Sequence, residues 1–281
     1  MLICKTPAEM HSACKNLRNA NKTLGLVPTM GALHDGHLSL IAAARAECDV
    51  VVVSIFVNPT QFGPNEDYAA YPRTFAADCE KLESAGVHVV FAPLADEMVT
   101  PDTTTFVDTG ELGSRLDGAS RPIHFRGVAT IVARLFNIVQ PDRAYFGQKD
   151  AAQVAVLRRM VRDLNFPVQL TVCPIYREAD GLAMSSRNRY LSPEERQRAL
   201  ILSKALAVAQ SLAQQGESNA EALRSAILET FTTDPQLRLD YVAVVHPDTL
   251  LPLADTSHGA LIAVAAWIGT TRLIDNLLLP A

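Results

Sequence analysis

Apolar positions in the first half of the chain alternate between two periods, one suited to strands and one to helices. The stretch "LIC" at the N-terminus reads as a short strand, and Thr6-Pro7 opens a helix with Thr6 as N-cap and Pro7 at the first helical position. Leu24–Val27 forms a strand, and an apolar helical pattern starts at Leu38 and runs to Ala46. The run "CDVVVVSIFVN" is almost wholly apolar and rich in valine, as a central parallel strand covered on both faces requires. Phe75–Ala85 is helical with Gly86 as its stop, and "VHVVFAP" is the next strand. The pattern loosens from Asp96 to Arg121 and predicts irregular chain. Val128, Ile131, Val132, Leu135, Phe136 and Val139 then fall on one helical face. "RAYFG", Ala151–Leu164 and "VQLTVCPI" continue as strand, helix and strand.

This alternation predicts an α/β fold with a parallel sheet and helices on both faces. The character changes after about Tyr190. Ser192-Pro193-Glu194-Glu195 carries the elements of a capping box. Two helices broken at Gly216-Glu217-Ser218 follow, and then three strands, Leu239–Val245, Ala260–Trp267 and Arg272–Leu278. Helices followed by strands imply a second, smaller α+β domain, so the expected division is residues 1–180 and 181–281.

The chain has 281 residues, 48% of them hydrophobic, enough for a sizeable core. Its net charge is −5 with the basic residues dispersed, which argues against a general nucleic-acid binder. The start "MLICKTPAEM" lacks the basic head and apolar core of a signal peptide, and the longest apolar runs are too short to span a bilayer. A cytoplasmic protein without membrane partners is expected. The five cysteines, Cys4, Cys14, Cys48, Cys79 and Cys173, are odd in number and show no C-x-x-C spacing, so they read as small buried hydrophobes in a reducing compartment.

Candidate chemistry collects where strands end. After Leu24–Val27 comes "PTMGALHDGH", with Gly31, His34, Gly36 and His37 at a strand-turn-helix corner. Open parallel sheets bind ligands at the carboxyl ends of their strands, and the N–H groups of a following helix favour an anion there. His37 stands where a P-loop has lysine and no Ser or Thr follows it directly, so the corner is not a P-loop; nor is it a G-x-G-x-x-G fingerprint. Two imidazoles three residues apart on a helix start face one pocket, where they can donate to phosphate oxygens and stabilise a departing pyrophosphate. No third His or Cys lies nearby at zinc-ligand spacing.

Three further segments carry polar groups on turns. "FVNPTQFG" places Asn58 and Gln61 at the end of the most apolar strand. "YFGQKDAAQ" turns at Gly147, offers the Lys149 cation, and has Asp150 as a cap for the helix from Ala151, with Gln153 on the same face as Lys149. "LAMSSRN" holds Ser185, Ser186 and the Arg187 fork on a loop at the domain boundary, suited to phosphate oxygens and to closure over them. Asp78 reads as a solvated helix residue, with a water-mediated Mg²⁺ contact as the alternative. On residue types alone the chain is adenylate-forming or nucleotidyl-transferring, or a nucleotide sensor without chemistry.

"HDGH" resembles the H-x-G-H signature of the adenylylating nucleotidyltransferase superfamily, a group of Rossmann-like folds. "PTMGALHDGHLSLI", "VVVSIFVNPTQFGPNEDYAAYPRT", "YFGQKDAAQ" and "READGLAMSSRNRYLSPEER", in this order, resemble the pantoate–β-alanine ligases across almost the full chain. The resemblance implies ATP as substrate with Mg²⁺, pantoate and β-alanine as the acid and amine, and a homodimer. It implies ATP contacts from Met30, Gly31, Ala32, Leu33, His34, Asp35, Gly36 and His37, from Gly147, Gln148, Lys149 and Asp150, and from Tyr176, Met184, Ser185, Ser186 and Arg187. It puts Pro28, Met30, Asn58, Gln61, Arg121 and Gln153 against pantoate or β-alanine, and makes His34, His37, Lys149 and Arg187 the catalytic set. The chain departs from the family form at Gln148, at Ala151-Ala152 and at Tyr176, where a small aliphatic residue is expected beside adenine. A carboxylate activated as an acyl adenylate needs positive charge and positioning rather than a nucleophilic side chain. The imidazole corner and the hydroxyl-guanidinium loop are therefore expected to serve one triphosphate.

Overall fold

A computed structural model describes residues 1–64 and 66–281; Asn65, inside the second of the quoted motifs, lies outside them. By its internal contacts the chain forms two compact units, one of residues 1–147 and 156–173, the other of residues 148–155 and 174–281.

The first unit is built on a six-stranded parallel sheet in the order β1-β4-β3-β2-β5-β6, comprising Leu2–Cys4, Val89–Phe91, Val50–Ile55, Leu24–Thr29, Arg143–Gly147 and Gln169–Cys173. Strand succession reverses about β2: the chain moves to β3 on one side and later to β5 on the other. That makes the carboxyl end of β2, where the histidine corner begins, a topological switch point. Helices α1 (Pro7–Asn19), α2 (Asp35–Glu47), α3 (Phe75–Ser84) and α6 (His124–Val139) belong to this unit. A core of Val27, Leu33, Leu40, Ile41, Val51, Val53, Leu82, Val90 and Tyr145 fixes α2 and α3 to the sheet.

Local sequence explains most element ends. Thr6 and Glu9 form a capping box at α1, and Gly86, at φ +70°, follows the last turn of α3. Strand β2 runs on through Pro28 to Thr29, past its two pairs with β5, where a missing N–H costs less. Helix α2 starts at Asp35 rather than Leu38, so His37 lies in its first turn. The stretch from Asp96 to Arg121, expected to be irregular, contains short helical turns at Ala95–Met98 (α4), Gly110–Ser114 and Asp117–Ser120 (α5). Asp150 ends a 3-10 turn, Gln148–Asp150, that runs directly into α7 (Ala151–Asp163).

The second unit has a three-stranded antiparallel sheet, β7 (Arg238–Val245), β8 (Ala260–Ile268) and β9 (Thr271–Leu279). Helices α8 (Pro193–Ala199), α9 (Ile201–Gln214) and α10 (Ala220–Phe231) accompany it. Ser192 and Glu195 complete the expected capping box, but the first expected helix divides at Leu200, giving three helices instead of two. One core of Leu202, Leu206, Leu223, Ile227, Ile262 and Val264 joins α9 and α10 to the sheet. All five cysteines are free; Cys4, Cys14 and Cys173 are buried, while Cys48 and Cys79 are half-buried. Among the described residues no helix is long and apolar enough to cross a membrane.

Helix α6 packs directly on the 3-10 turn Pro59–Gln61 that follows β3. Gly127 makes the close approach possible: a Cβ there would lie 2.4 Å from the Thr60 carbonyl oxygen and 2.7 Å from Gln61 Cα. At the helix start, His124 Nδ1 bonds the Gln61 carbonyl at 3.0 Å and Nε2 faces Arg121 Nη1 at 3.1 Å. A guanidinium only donates, so Nε2 is the acceptor and the ring proton sits on Nδ1. Burial first, and then the Arg121 charge, push the His124 pKa down to about 4. Arg121 Nε donates to Glu66 Oε1 at 2.9 Å. Burial pushes the Glu66 carboxyl up, but the Arg121 fork outweighs it and leaves the pKa below its ordinary value.

Two outcomes follow from this packing. Gly127→Ala forces the Thr60–Gln61 backbone to move and lowers stability by about 1–3 kcal/mol, read by urea or thermal unfolding; an unchanged midpoint would contradict the contact. His124 binds a proton in the unfolded chain below its ordinary value of 6.5 but not in the folded chain until about 4. Its contribution is therefore complete above pH 6.5 and is lost as the pH falls towards 4. From pH 7 to pH 5 the native chain loses about 2 kcal/mol that a His124→Gln variant does not; parallel pH profiles would rule out the neutral imidazole.

Candidate active site

The histidine corner is held from behind by α3. Thr29 Oγ1 donates to the Ser54 carbonyl at 2.7 Å and accepts from the Gly31 N–H at 3.1 Å. Gly31 (φ +78°) and Ala32 (φ +51°) then take left-handed backbone in succession, which turns the following N–H groups inward. Asp78, only 1% exposed, receives them: Ala32 N–H donates to Oδ2 at 2.9 Å and Leu33 N–H to Oδ1 at 2.8 Å. Thr74 Oγ1 adds a third bond to Asp78 at 3.1 Å, and Lys81 Nζ donates to the Leu33 carbonyl at 2.6 Å. A Cβ on Gly31 would sit 3.1 Å from Asp78 Oδ2, so the strained turn and the carboxylate fit one another closely. The solvated Asp78 expected from the sequence is thus corrected to a buried brace. Both its oxygens are committed to the turn, which leaves it a poor donor for a metal. Among the described residues no group of three or more His, Cys, Asp or Glu is placed to hold a metal ion.

Beyond the brace, His34 is the N-cap of α2 and its N–H faces His37 Nδ1 at 3.4 Å. His37 therefore occupies the place that Glu takes in a capping box. With Nδ1 accepting, the neutral ring carries its proton on Nε2. The two rings lie 4.1 Å apart at 34°. Both are half-buried beside the helix N-terminus, with its positive dipole end; Asp35 is exposed, and Gly36 half-buried.

The residues expected against the acid substrate surround Gln61. Asn58 is buried and its amide is engaged at both ends: Oδ1 accepts from Thr60, while Nδ2 donates to Gln61 Oε1 at 3.1 Å and to the Gly127 carbonyl at 3.1 Å. Among the described residues Gln61 Nε2 meets only the weak acceptor Met30 Sδ, at 3.2 Å. Gln61 thus keeps a donor that a stronger acceptor could take over. The Arg121 fork is occupied by Glu66, with the Gln61 carbonyl 3.2 Å from Nη2. Pro28 is half-buried on the last turn of β2 before Met30.

In the second unit Gln148, Lys149 and Asp150 form the 3-10 turn after Gly147, the end of β5. Lys149 Nζ lies 3.4 Å from Asp150 Oδ1, and Gln153 is half-buried on α7. Ser185 caps a second 3-10 turn, Ser186–Tyr190, its Oγ accepting from the Arg187 N–H at 3.2 Å. Ser186 is buried, Met184 and Arg187 are half-buried, and the ring of Tyr176 is 42% exposed. Sequence reasoning missed Thr74 and Lys81 and misread Asp78. The available signal was Asp78 itself, one turn before Leu82 on the same face of α3, where a solvated charge does not belong.

The chain matches the family model for pantoate-beta-alanine ligase over residues 2–278. The pantothenate synthetase of Acidobacterium capsulatum is 57% identical, with 98% of this chain and 96% of that protein covered. That of Koribacter versatilis is 56% identical over 100% and 97%. A crystal structure of pantothenate synthetase from Thermus thermophilus superposes with a TM-score of 0.93 at 50% identity, covering 99% of each chain. The pantoate-beta-alanine ligase of Francisella tularensis, crystallised with beta-gamma ATP and beta-alanine, gives 0.80 at 36% identity over 99% and 97%. With the fold, the paired-histidine corner and these relatives in agreement, the chain belongs to the pantoate–β-alanine ligase family.

Proposed function

We propose that the chain condenses pantoate with β-alanine at the expense of ATP, through a pantoyl adenylate. A carboxylate does not acylate an amine at neutral pH until it gains a leaving group. In the first step a pantoate carboxylate oxygen attacks the α-phosphorus and pyrophosphate departs. In the second the β-alanine amine attacks the acyl carbon, AMP leaves with the carboxylate oxygen it acquired, and the amine gives up its proton.

The observation that carries this reading is the imidazole pair at the start of α2, clamped by Asp78 and Lys81 at the end of a central parallel strand. Charge grows on the pyrophosphate as it leaves, and fixed donors aimed at it lower the barrier most when they need no rearrangement. His37, protonated on Nε2, supplies such a donor, and His34 contacts a phosphate. The second unit supplies the Lys149 cation, the Ser185 and Ser186 hydroxyls and the Arg187 fork, groups that match phosphate oxygens. The remaining ATP contacts fall to the backbone from Met30 to Gly36, to Gly147, Gln148 and Asp150, and to Met184 and Tyr176. Gln61, whose Nε2 can exchange a thioether for an oxygen, and Gln153 hold pantoate, with Pro28 and Met30 against its methyl groups. Asn58 and Arg121 act by fixing Gln61, since their own polar groups are engaged with protein partners. Mg²⁺ enters as the companion of the nucleotide's phosphates, which supply most ligands to this ion in nucleotide sites. A cytoplasmic homodimer completes the reading, on the strength of the family resemblance.

Pantoate labelled with ¹⁸O in its carboxylate should leave one label in AMP after turnover; nucleotide retained on the product, or unlabelled AMP, would overturn the adenylate. His37→Ala should slow pantoate-dependent exchange of pyrophosphate into ATP by about 10²-fold or more, the scale of losing one transition-state donor. An unchanged exchange rate would remove His37 from the chemistry.

A further inference from the structure

Strand β9 carries two polar residues, Asp275 and Asn276, between Ile274 and Leu277. Adjacent strand residues point to opposite faces, so one polar residue on a half-buried strand is ordinary and two buried in succession are not. Both are nearly inaccessible, at 2% and 4% exposure. Each is matched to a turn that carries candidate phosphate-binding groups.

Asn276 reaches the turn at Lys149, 127 residues away in sequence. Its Nδ2 donates to the carbonyls of Gln148 and Lys149, both at 2.9 Å, and its Oδ1 accepts from Gln148 Nε2 at 3.0 Å. Asp275 holds the other segment. It takes both arms of Arg177, at 2.7 and 3.0 Å, and Arg177 also donates to the Gly181 carbonyl and bridges to Ala183. Asn188 ties the end of that segment to its start through Glu178 Oε1 at 2.7 Å and the Ala183 carbonyl at 3.1 Å. Ser185, Ser186 and Arg187 lie between Ala183 and Asn188. Lys149, Ser185, Asn188 and Asp275 line one small cavity of about 10 Å³, so both turns and β9 meet within the second unit.

We propose that Asn276 is a positioning residue for the adenylation step, fixing the Lys149 backbone against the Ser185–Arg187 turn through the neighbouring Asp275–Arg177 pair. The inference rests on the reading that Lys149 and that turn bind the triphosphate. The amide side chain is required because it donates twice and accepts once. A carboxylate of the same shape would keep the bond from Gln148 Nε2 but set one anionic oxygen against both backbone carbonyls.

The test compares Asn276→Ala, Asn276→Asp and Lys149→Ala in three measurements: thermal unfolding, pantoate-dependent pyrophosphate exchange, and amide formation from chemically prepared pantoyl adenylate and β-alanine. Misplacing a reacting or stabilising group by about 1 Å costs on the order of 10²-fold. Both Asn276 variants should therefore lose roughly 10- to 100-fold in exchange, with Asp no better than Ala, and should lose at least about tenfold less in amide formation. Equal losses in both steps, exchange within twofold of the native rate, or failure of both variants to fold would overturn the inference and leave Asn276 a structural residue. Should only the alanine variant fail to fold, the aspartate variant decides alone by the same criteria. Lys149→Ala separates the two claims. If it leaves exchange intact, the triphosphate reading of Lys149 fails; if it abolishes exchange while Asn276→Asp does not, only the present inference fails.

Discussion

A buried carboxylate decides where the histidines stand. Asp78 accepts the Ala32 and Leu33 N–H groups, and without it two inward-facing backbone donors would be left beside a left-handed turn. An unsatisfied buried donor costs about 1–3 kcal/mol, and left-handed backbone at Ala32 about 1–3 kcal/mol more. The carboxylate offsets both, and Lys81 holds the Leu33 carbonyl one residue before His34. With the turn so fixed, the chain can enter α2 only at His34, and His37 must reach back to the His34 N–H. The N–H groups of Ala32 and Leu33 are thereby given to the protein's own carboxylate, so any contact these two residues make in the proposed nucleotide site comes from other atoms.

The fold of the first unit was written in local patterns. Valine-rich β3, the capped start of α1 and the apolar face of α6 each report burial directly, and the parallel order follows from alternation. The histidine corner was legible for a different reason: two glycines and two imidazoles between a strand and a helix have few structural uses. What was not legible there is the true start of α2. Sequence rules seek Glu or Gln at the third helical position, and His37 performs that bond with an imidazole nitrogen.

Residues whose work is long-range escaped sequence reasoning. Asp78 and Asn276 look like solvated or tolerated polar positions because their partners lie far along the chain. Gly127 gives no turn signal, since it sits inside a helix and its purpose is contact with the Thr60–Gln61 backbone. Asn58 shows a second kind of gap: its place at a strand end suggests ligand contact, and gives no sign that its amide also bonds Thr60, Gln61 and Gly127. Hydrophobic periodicity tells which face of an element is covered; it does not tell which backbone atoms a buried polar group will meet.

Asp78 and Asn276 solve one physical problem twice. Adenylation needs no nucleophilic side chain, so its rate depends on how little the donors around the phosphates must reorganise. Side chains long enough to reach a phosphate, such as His37, Lys149 and Arg187, are mobile unless the main chain beneath them is fixed. In the first unit that main chain enters α2 from the left-handed turn at Gly31-Ala32, and in the second it is a short 3-10 turn, so neither is held by a long ladder of its own. A buried polar side chain from a regular element, α3 in one unit and β9 in the other, bonds two main-chain groups of the turn and supplies the missing ladder. The anchors sit on the regular scaffold and the side chains proposed to meet the phosphates sit at the turns, so that under the proposed reaction the turns keep the precision of the elements that hold them.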